Sequence, residues 1–400
     1  MPALCRQNLG PYSCPMDLVA AFAAIEDRTS STIGVTDTNP FPEEEERILS
    51  RVDAGLHGGL SFTYAHPGTA SRPAESFPWA SSIVVAAVPY LEAGDGERDD
   101  RTVARFADGD RYDYLRDVLE QIASELAGRG HRIEVVFDDN RLLDRPLALR
   151  AGVAWSGKST MTLTPGAGPW ILLGSVVTDA KIPVSEPMQR TCGTCDACIP
   201  ACPTDAIISP GVLDARLCIS AVLQRRGTID PALRSKIGSR IYGCDDCLVA
   251  CPPGQPALRR HTPAATVLTP EHVLTVEDEE LERIADRWYV PSRRMRFVRR
   301  NALVALGNSG DESSLELLAA YLSSEDDLLS SHAAWAIGRI AGPPARAILQ
   351  SALQTVTSEI VRAELVAAIA AAERGGVYAD ESSGRHPPTK PSASSQEAAR

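Results

Sequence analysis

The chain has 400 residues, more than the roughly 100–200 residues of one typical domain, and this length predicts two or three folding units. Hydrophobic residues account for 44% of the sequence and charged residues for 23%, which excludes a compositionally disordered chain. The formal net charge of −12 excludes a surface coated with positive charge, so any contact with nucleic acid must be local.

Residues 1–185 predict a mixed α/β domain. Apolar runs at 83–88, 133–137 and 170–177 are typical of buried strands. Between the first two runs, apolar side chains recur at helical spacing over residues 115–126, and two glycines follow that end the helix. Strands that alternate with helices in this way predict an open sheet covered by helices.

The sequence also predicts where the protein is found. No apolar run approaches the roughly 20 residues of a membrane span, and the N-terminus has no pattern of a secretory signal. We therefore expect a cytoplasmic protein without membrane contact. The chain has ten cysteines, and in such a reducing compartment the eight that cluster between residues 192 and 251 are expected to bind metal and not to form disulfides.

Eight of the cysteines lie in a segment rich in Cys, Pro and Gly, which we predict to be a metal-built, ferredoxin-type unit over residues 186–260. The first run has the C-x2-C-x2-C-x3-C-P spacing of bacterial ferredoxins, and the second run is one cysteine short, which Cys218 supplies. Reciprocal exchange then predicts two 4Fe–4S clusters, one held by Cys192, Cys195, Cys198 and Cys251, the other by Cys202, Cys218, Cys244 and Cys247. A pair of zinc sites is the alternative. Cys5 and Cys14 are expected to be ordinary thiols.

Residues 261–375 predict helical repeats. An acidic stretch and an arginine-dense stretch over residues 287–300 come first, and the pattern at 301–307 then recurs 31 residues later at 332–338. Each unit carries two apolar helical patterns, which is typical of HEAT-like repeats, with an alanine-rich helical bundle as the alternative. The last residues, 376–400, have no periodic apolar face and predict a disordered tail.

The residues alone do not identify what the clusters reduce. The N-terminal domain contains no G-x-G-x-x-G after a strand, no P-loop and no D-x-H-x-x-G pattern. Four groups of residues, however, resemble the epoxyqueuosine reductase family in their order along the chain. They are residues 137–145 with 151–158, Cys218-Ile-Ser220, the segment 241–247 and Arg299-Arg-Asn-Ala302, and the similarity spans about residues 45–340.

This resemblance implies a cobalamin-binding α/β domain distantly like nitroreductases, a two-cluster ferredoxin domain and a HEAT-like domain that helps to grip tRNA. It implies reduction of epoxyqueuosine to queuosine at the wobble position of a tRNA anticodon. That conversion releases the epoxide oxygen as water and consumes two electrons and two protons. Clusters pass electrons singly and the cobalt of cobalamin collects them, so we expect an external electron donor. A monomer is expected.

The resemblance assigns the proton donor to Asp138, because counting back from Leu143-Asp144-Arg145 places the catalytic aspartate of the family there. Donation near neutral pH requires a raised pKa, which a desolvated site beneath the corrin would give. Asp139 is the rival donor, and a turn or helix-capping aspartate is the structural alternative.

Further contacts are implied in the same way. By resemblance, the residues that face cobalamin besides Asp138 are Lys158, Ser220, Gly243, Cys244 and Asp245, with Asp246 in the same loop. The residues that match tRNA-binding positions of the family are Arg234, Arg299, Arg300 and Asn301. A surface lysine, turn residues that shape the cluster loop and a solvated helix face are the corresponding structural alternatives.

The sequence departs from the family at two places, neither of which is a cysteine. Ala65 stands where members often carry an arginine, and Pro252-Pro253-Gly254 stands where proline is usually followed by an aromatic residue and Asn. Two other functions account for part of the sequence: a cobalamin and iron–sulfur reductase of the reductive-dehalogenase type, and a non-catalytic electron-transfer protein. The arginine-rich repeats argue against the first, and Asp138 with the turn at 155–158 argues against the second.

Overall fold

The computed structural model describes residues 15–96, 101–262 and 268–378. Its N-terminal part contains six strands: β1 Thr32–Thr36, β2 Ser82–Pro89, β3 Ile133–Val136, β4 Trp155–Ser156, β5 Thr162–Leu163 and β6 Ile171–Thr178. The same part contains seven helices: α1 Pro15–Thr29, α2 Pro42–Asp53, α3 Phe62–Ala65, α4 Pro67–Ala70, α5 Pro73–Ser76, α6 Arg111–Ala127 and α7 Asp144–Arg150.

One four-stranded sheet carries the N-terminal domain. Its strand order is β1-β2-β6-β3, and every neighbouring pair is antiparallel, with Val84 of β2 opposite Val176 of β6. The two faces are covered by different helices: Val84 packs in a core with α1 and α6, whereas Ile83 packs with Leu147 of α7. Burial of both faces explains the continuous apolar run of β2.

Two sequence expectations change here. Strand β1 was not predicted, because Thr32–Thr36 is short and carries two threonines and a glycine, which break its apolar run. The predicted open sheet is antiparallel throughout, a pairing that the apolar runs did not specify. Asp138 follows β3, and the turn that it occupies sets its position.

The cysteine-rich segment has short elements: β7 Ile207–Ser209, β8 Val212–Leu213, α8 Ile219–Leu223, α9 Pro231–Ile237, α10 Asp246–Val249 and α11 Gln255–Leu258. It is not held by its metal ligands alone, contrary to the prediction. Leu223, Ile229 and Ile241 belong to the same apolar core as Ala302 and Trp335 of the following helices. Packing therefore joins the two C-terminal segments into one body.

The last part consists of α12 Pro270–Thr275, α13 Asp278–Ile284, α14 Arg296–Ser309, α15 Leu315–Leu322, α16 Asp327–Ile340, α17 Gly342–Thr355 and α18 Glu359–Glu373. Helices α14, α16 and α18 stack in register with the sequence repeat. A Cβ added to Gly307 would lie 2.6 Å from Cα of Ala336, and one added to Gly338 would lie 2.8 Å from Cα of Ala368. The 31-residue period thus marks where successive helices touch most closely.

The C-terminal end of the described chain corrects the predicted tail. Tyr378 is buried and stacks on Trp335 at a ring distance of 5.5 Å, so residues 376–378 are part of the packed structure. Cys5, Cys14 and residues 379–400 lie outside the described residues. None of the described helices is long and apolar enough to cross a membrane.

Candidate active site

Asp138 lies in a sharp turn directly after β3. Its φ is +51°, a left-handed conformation that Asp and Asn adopt more readily than most residues. The neighbouring carboxylate of Asp139 is held by the guanidinium of Arg141, with Nη2 donating to Oδ2 at 2.8 Å. The turn therefore directs two adjacent carboxyl groups into different surroundings.

These surroundings move the two pKa values in opposite directions. The Asp138 side chain reaches solvent, but nearby protein atoms desolvate it enough to raise its pKa, and the charge of Asp139 raises the pKa further. The hydrogen bonds from Arg141 lower the pKa of Asp139. Asp138 is thus the one of the pair that holds a proton more readily.

Other polar groups face the same region. Burial raises the pKa of Asp144 to about 7, and the charge of Asp138 contributes. Oδ1 of Asp144 is inaccessible to solvent and has no hydrogen-bond partner among the described residues. Asp138 also contributes to the raised pKa values of Tyr112 and Tyr242, after burial. The site therefore combines a carboxyl that binds a proton readily with a buried carboxyl oxygen that lacks a partner among the described residues, and a polar ligand can use both.

The cysteines fall into two electrostatic groups. Burial raises the pKa of Cys251 to about 11, and the thiols whose charges contribute are Cys192, Cys198 and Cys195. Burial also raises the pKa of Cys247, and there the contributing thiols are Cys244, Cys218 and Cys202. These are the two ligand sets that reciprocal exchange predicts, although Cys251 belongs by sequence to the second run. Among the described residues, no group of three or more His, Cys, Asp or Glu is close enough together to hold a single metal ion.

The loop that carries Cys244 is tied to the N-terminal domain. The Ile241 N–H donates to the carbonyl of Thr102 at 2.6 Å, and the Ala104 N–H donates to that of Tyr242 at 2.8 Å. Gly243 has φ of +73°, and a Cβ there would lie 2.4 Å from Cβ of Ala104. Only glycine fits this close approach, so Gly243 has a structural role in the loop.

Asp245 lies in the same loop. The side chain is buried and accepts two hydrogen bonds from Arg105, one from its backbone N–H at 2.9 Å and one from its guanidinium at 3.0 Å. This ion pair occupies Oδ2 and holds the cluster loop, and the cobalamin contact of Asp245 stays a prediction. No sequence motif marked Arg105 for this role.

Lys158 and Ser220 lie near cysteines that are predicted to hold the clusters. Nζ of Lys158 donates to the carbonyl of Gly193 in the first cysteine run at 2.9 Å, and its charge acts on Cys198. The hydroxyl of Ser220, two residues after Cys218, accepts a hydrogen bond from Gln224 at 3.3 Å. Their cobalamin contacts stay a prediction.

The four residues predicted to bind tRNA have protein partners instead. Arg234 is fully buried and forms an ion pair with Glu364 of α18, with Nη1 and Oε1 2.9 Å apart. Arg300 is fully buried and donates to backbone carbonyls within residues 223–227, and Asn301 is buried beside it. Arg299 pairs with Asp278, and its side chain is 12% exposed.

This placement contradicts direct phosphate contacts for Arg234, Arg300 and Asn301. A basic run in a sequence does not reveal which of its side chains face solvent, and here the buried backbone carbonyls of the cluster segment need donors. The matched residues therefore join the repeat helices to the segment between the two cysteine runs.

The departure at 252–254 also has a structural reason. Gly254 lies against Trp170, and a Cβ there would come within 2.7 Å of Nε1 of the indole. That Nε1 donates to the carbonyl of Gly254 at 3.1 Å. Ala65 ends the short helix α3 and is exposed.

Comparisons with known proteins cover each part of this architecture. Residues 191–254 match a family model described as a 4Fe-4S double cluster binding domain, and residues 296–370 match HEAT repeats. The epoxyqueuosine reductase of Vibrio cholerae is 32% identical over 76% of this chain and 87% of its own length. That of Xanthomonas campestris is 34% identical over 74% and 89%. The chain belongs to the epoxyqueuosine reductase family.

Solved structures of the family have the same fold. A selenomethionine-labelled epoxyqueuosine reductase aligns over 89% of this chain and 98% of its own, with a TM-score of 0.78 and 29% identity. Another, solved with an epoxyqueuosine-modified tRNA-Tyr stem loop, aligns with a TM-score of 0.76 and 28% identity over 90% and 98%. A Bacillus subtilis member, with a TM-score of 0.77 and 28% identity, has an aspartate catalytic loop that is swung out of its active site.

Family membership confirms the predicted enzyme class, oxidoreductase, and the family activity on epoxyqueuosine. The mixed sheet-and-helix domain followed by cluster and HEAT segments is confirmed at this coarse level, without the residue boundaries of the domains. The match to the double-cluster domain confirms the predicted 4Fe–4S clusters. Membership of the epoxyqueuosine reductase family confirms the predicted cobalamin cofactor.

Proposed function

We propose that this chain reduces epoxyqueuosine in tRNA to queuosine, with Asp138 as proton donor. The observation that carries the proposal is the turn at Asp138, whose carboxyl has a raised pKa in a member of this family. The B. subtilis relative has an aspartate in its catalytic loop, which supports a catalytic carboxyl here. The tRNA stem loop bound to another relative supports tRNA as substrate.

The reaction releases the epoxide oxygen as water and consumes two electrons and two protons. A carboxyl with a raised pKa can deliver one proton to the leaving oxygen, and water supplies the other. Asp139 is less suited, since its ion pair with Arg141 lowers its pKa and favours the charged form. The two acidic neighbours therefore have different roles, one as donor and one as a fixed charge.

We expect the cysteine thiols to hold two clusters next to this site. Cys244 follows Tyr242 by two residues, and Asp138 contributes to the raised pKa of Tyr242, so the loop of the second ligand set adjoins Asp138. Cobalamin, when bound, supplies a strongly reducing cobalt centre for the epoxide carbon. Asp138, Lys158, Ser220 and the loop at Gly243 would surround it.

Three further predictions belong to this proposal. An external electron donor reduces the clusters, as the resemblance to the family implies. We propose a monomer in the cytoplasm, in keeping with the sequence expectation. Light scattering of the purified protein measures the mass of the species in solution and tests whether that species is a monomer.

The decisive experiment is nucleoside mass spectrometry of tRNA from a strain that lacks this gene. We expect epoxyqueuosine to accumulate and queuosine to disappear, and the gene supplied on a plasmid to restore queuosine. A normal level of queuosine in a strain without a second reductase would reject the proposal. The plasmid-borne Asp138→Asn variant serves as the matched inactive control.

A further inference from the structure

Two aspartates lie between the last two cysteines of the second ligand set, and each pairs with a different arginine. Asp245 is buried and accepts hydrogen bonds from Arg105 of the N-terminal part. Asp246 accepts from Arg240 of the cysteine-rich segment, whose Nη2 lies 2.5 Å from Oδ1 and 2.7 Å from Oδ2. The loop 244–247 therefore carries two negative charges, each offset by its own guanidinium.

The pair that involves Arg105 anchors the loop to the N-terminal part. Arg105 is 2% exposed, and besides Asp245 it donates to the backbone carbonyls of Asp95 at 2.7 Å and Gly96 at 2.8 Å. Its guanidinium carbon lies 5.4 Å from the ring centroid of Trp170. Replacing either member would leave a buried charge unpaired, so a variant of this pair would disturb the loop as well as its charge.

Arg240 lies beside a predicted cluster ligand and remains accessible to water. Its side chain is 23% exposed and that of Asp246 27%, and Nη1 of Arg240 donates to the carbonyl of Ile237 at 2.8 Å. Burial raises the pKa of Cys244 to about 12, and of the two charges in the pair Asp246 raises it further whereas Arg240 lowers it. The charge of Arg240 therefore reaches Cys244, and water can solvate the Asp246 carboxylate when Arg240 is replaced.

The charges around an iron–sulfur cluster decide how readily it accepts an electron. Reduction adds one negative charge to the cluster and its thiolates, so a nearby cation favours the reduced form and a nearby anion opposes it. Another cation, Arg225, acts on Cys218 of the same ligand set and donates to the carbonyl of Arg216 at 2.8 Å. Arg240 is the cation that offsets the accessible aspartate of the loop.

We propose that Arg240 sets the reduction potential of the second cluster by offsetting the charge of Asp246. The step that it favours is the transfer of one electron to this cluster, and a one-electron carrier, the external donor, is oxidised by one electron in return. Arg240 thus acts on the reaction through the cluster and not on the substrate. The inference rests on the proposed function for the ligand sets and is independent of what the enzyme reduces.

The test is an anaerobic redox titration of the full chain with both clusters and cobalamin, followed by electron paramagnetic resonance of the reduced clusters. Arg240→Gln removes the charge and keeps a polar side chain. At a fixed applied potential, the ratio of reduced to oxidised second cluster should fall about 10-fold. For a one-electron couple, this change corresponds to a potential lower by about 59 mV.

Three companion variants separate charge from shape. Arg240→Lys keeps the charge and should titrate near the parent. Asp246→Asn removes the opposing charge and should shift the potential in the opposite direction, which tests the proposal without altering Arg240. Arg240→Gln/Asp246→Asn removes both charges and should return towards the parent potential, because the two effects have opposite signs.

Arg129 on α6 is the matched control, since its side chain is 24% exposed and pairs with Glu125 at 2.5 Å. Arg129→Gln should leave both cluster potentials unchanged. Iron and acid-labile sulfide content and circular dichroism of each variant check that clusters and fold persist. The signal that shifts in Arg240→Gln should be the one that a Cys247→Ser protein lacks.

The outcomes separate this proposal from the proposed function. Parent potentials in Arg240→Gln and Asp246→Asn, or equal shifts of both clusters, overturn the role of Arg240 and leave the proposed function standing. A parent protein whose clusters titrate and respond to Arg240→Gln as expected, but which does not reduce epoxyqueuosine, overturns the proposed function and leaves the role of Arg240 standing.

Discussion

Asp138 and Asp139 are adjacent in the chain but differ in the environment of their carboxyl groups. Desolvation and the Asp139 charge raise the pKa of Asp138, whereas Arg141 lowers the pKa of Asp139. The left-handed backbone at Asp138 makes Asn the appropriate replacement, because Asn tolerates the same conformation and Ala does not. A loss of activity in the Asn variant can then be attributed to the missing proton.

Asp138→Asn is predicted to lower the rate of reduction by a factor of about 100 or more, the usual contribution of general acid catalysis. In the parent enzyme the rate should fall as pH rises through the pKa of Asp138, because only the protonated form donates. Asp139→Asn should stay active and shift that fall to lower pH, since a negative neighbour has been removed. A pH–rate profile under single-turnover conditions measures both effects, and an active Asp138→Asn enzyme would refute the assignment.

Asp144 leads to a prediction about stability. Its native pKa of about 7 lies above the ordinary value of 3.8, so between these pH values the folded state binds a proton that the unfolded state has lost. The contribution of Asp144 to the stability of the protein is therefore largest below about pH 4 and decreases as pH rises to about 7.

Asp144→Asn removes that decrease. Between pH 5 and pH 8, the free energy of unfolding of the parent should fall by about 3 kcal/mol more than that of the variant. Urea unfolding at the two pH values gives the comparison. Parallel pH dependence in the two proteins would mean that Asp144 does not hold its proton in the folded state.

At the scale of elements, the short helix α10 and the turns around it bring distant cysteines together. Cys251 follows α10, yet its electrostatic neighbours are the cysteines of the first run, near residue 195. The buried thiols have pKa values raised to about 12 for Cys244 and about 11 for Cys251, so they need the positive charge of iron to become thiolates. In the folded protein, these cysteines therefore become thiolates only when iron binds.

Reciprocal ligation predicts how cysteine variants combine. Cys251→Ser should lose the first cluster and about half of the iron, and adding Cys192→Ser should remove little more, because both residues serve one cluster. Cys247→Ser combined with Cys192→Ser should lose both clusters. Iron and acid-labile sulfide analysis of anaerobically purified protein checks this, and equal iron loss by the two double variants would contradict the predicted ligand sets.

At the scale of the molecule, polar residues at repeated positions of the helical stack hold the cluster segment. Asn301 donates to the carbonyls of Leu223 and Ile241, and His332, 31 residues later, accepts the N–H of Ile229 at 3.2 Å. Burial lowers the pKa of His332 well below its usual range, which keeps the acceptor nitrogen unprotonated. The HEAT-like part therefore supports the electron-transfer part directly.

Arg234 tests this connection. Arg234→Met leaves Glu364 without its partner and should destabilise the protein by about 3 kcal/mol or more. Arg234→Met/Glu364→Leu removes both charges and should recover part of that loss. Thermal unfolding ranks the variants, and the folded fraction of each should bind tRNA with the salt slope of the parent. A reduced slope would restore Arg234 to the RNA interface.

The sequence by itself determined the chemistry of this protein. Cysteine spacing identified the clusters, the 31-residue period identified the stacked helices, and the residues around Asp138 identified the family, because each depends on local order along the chain. The apolar runs also predicted that the N-terminal part is a mixed α/β domain.

Only the tertiary structure decided which charges are available. The antiparallel pairing of the sheet, the ion pair between Arg105 and Asp245 and the burial of Arg234 and Arg300 arise from contacts between segments far apart in sequence. A guanidinium looks the same in a sequence whether it binds a phosphate or a buried carbonyl. The deciding quantity is its exposure, which is set by packing: Arg234 and Arg300 are buried, whereas Arg294 in the same basic stretch is exposed.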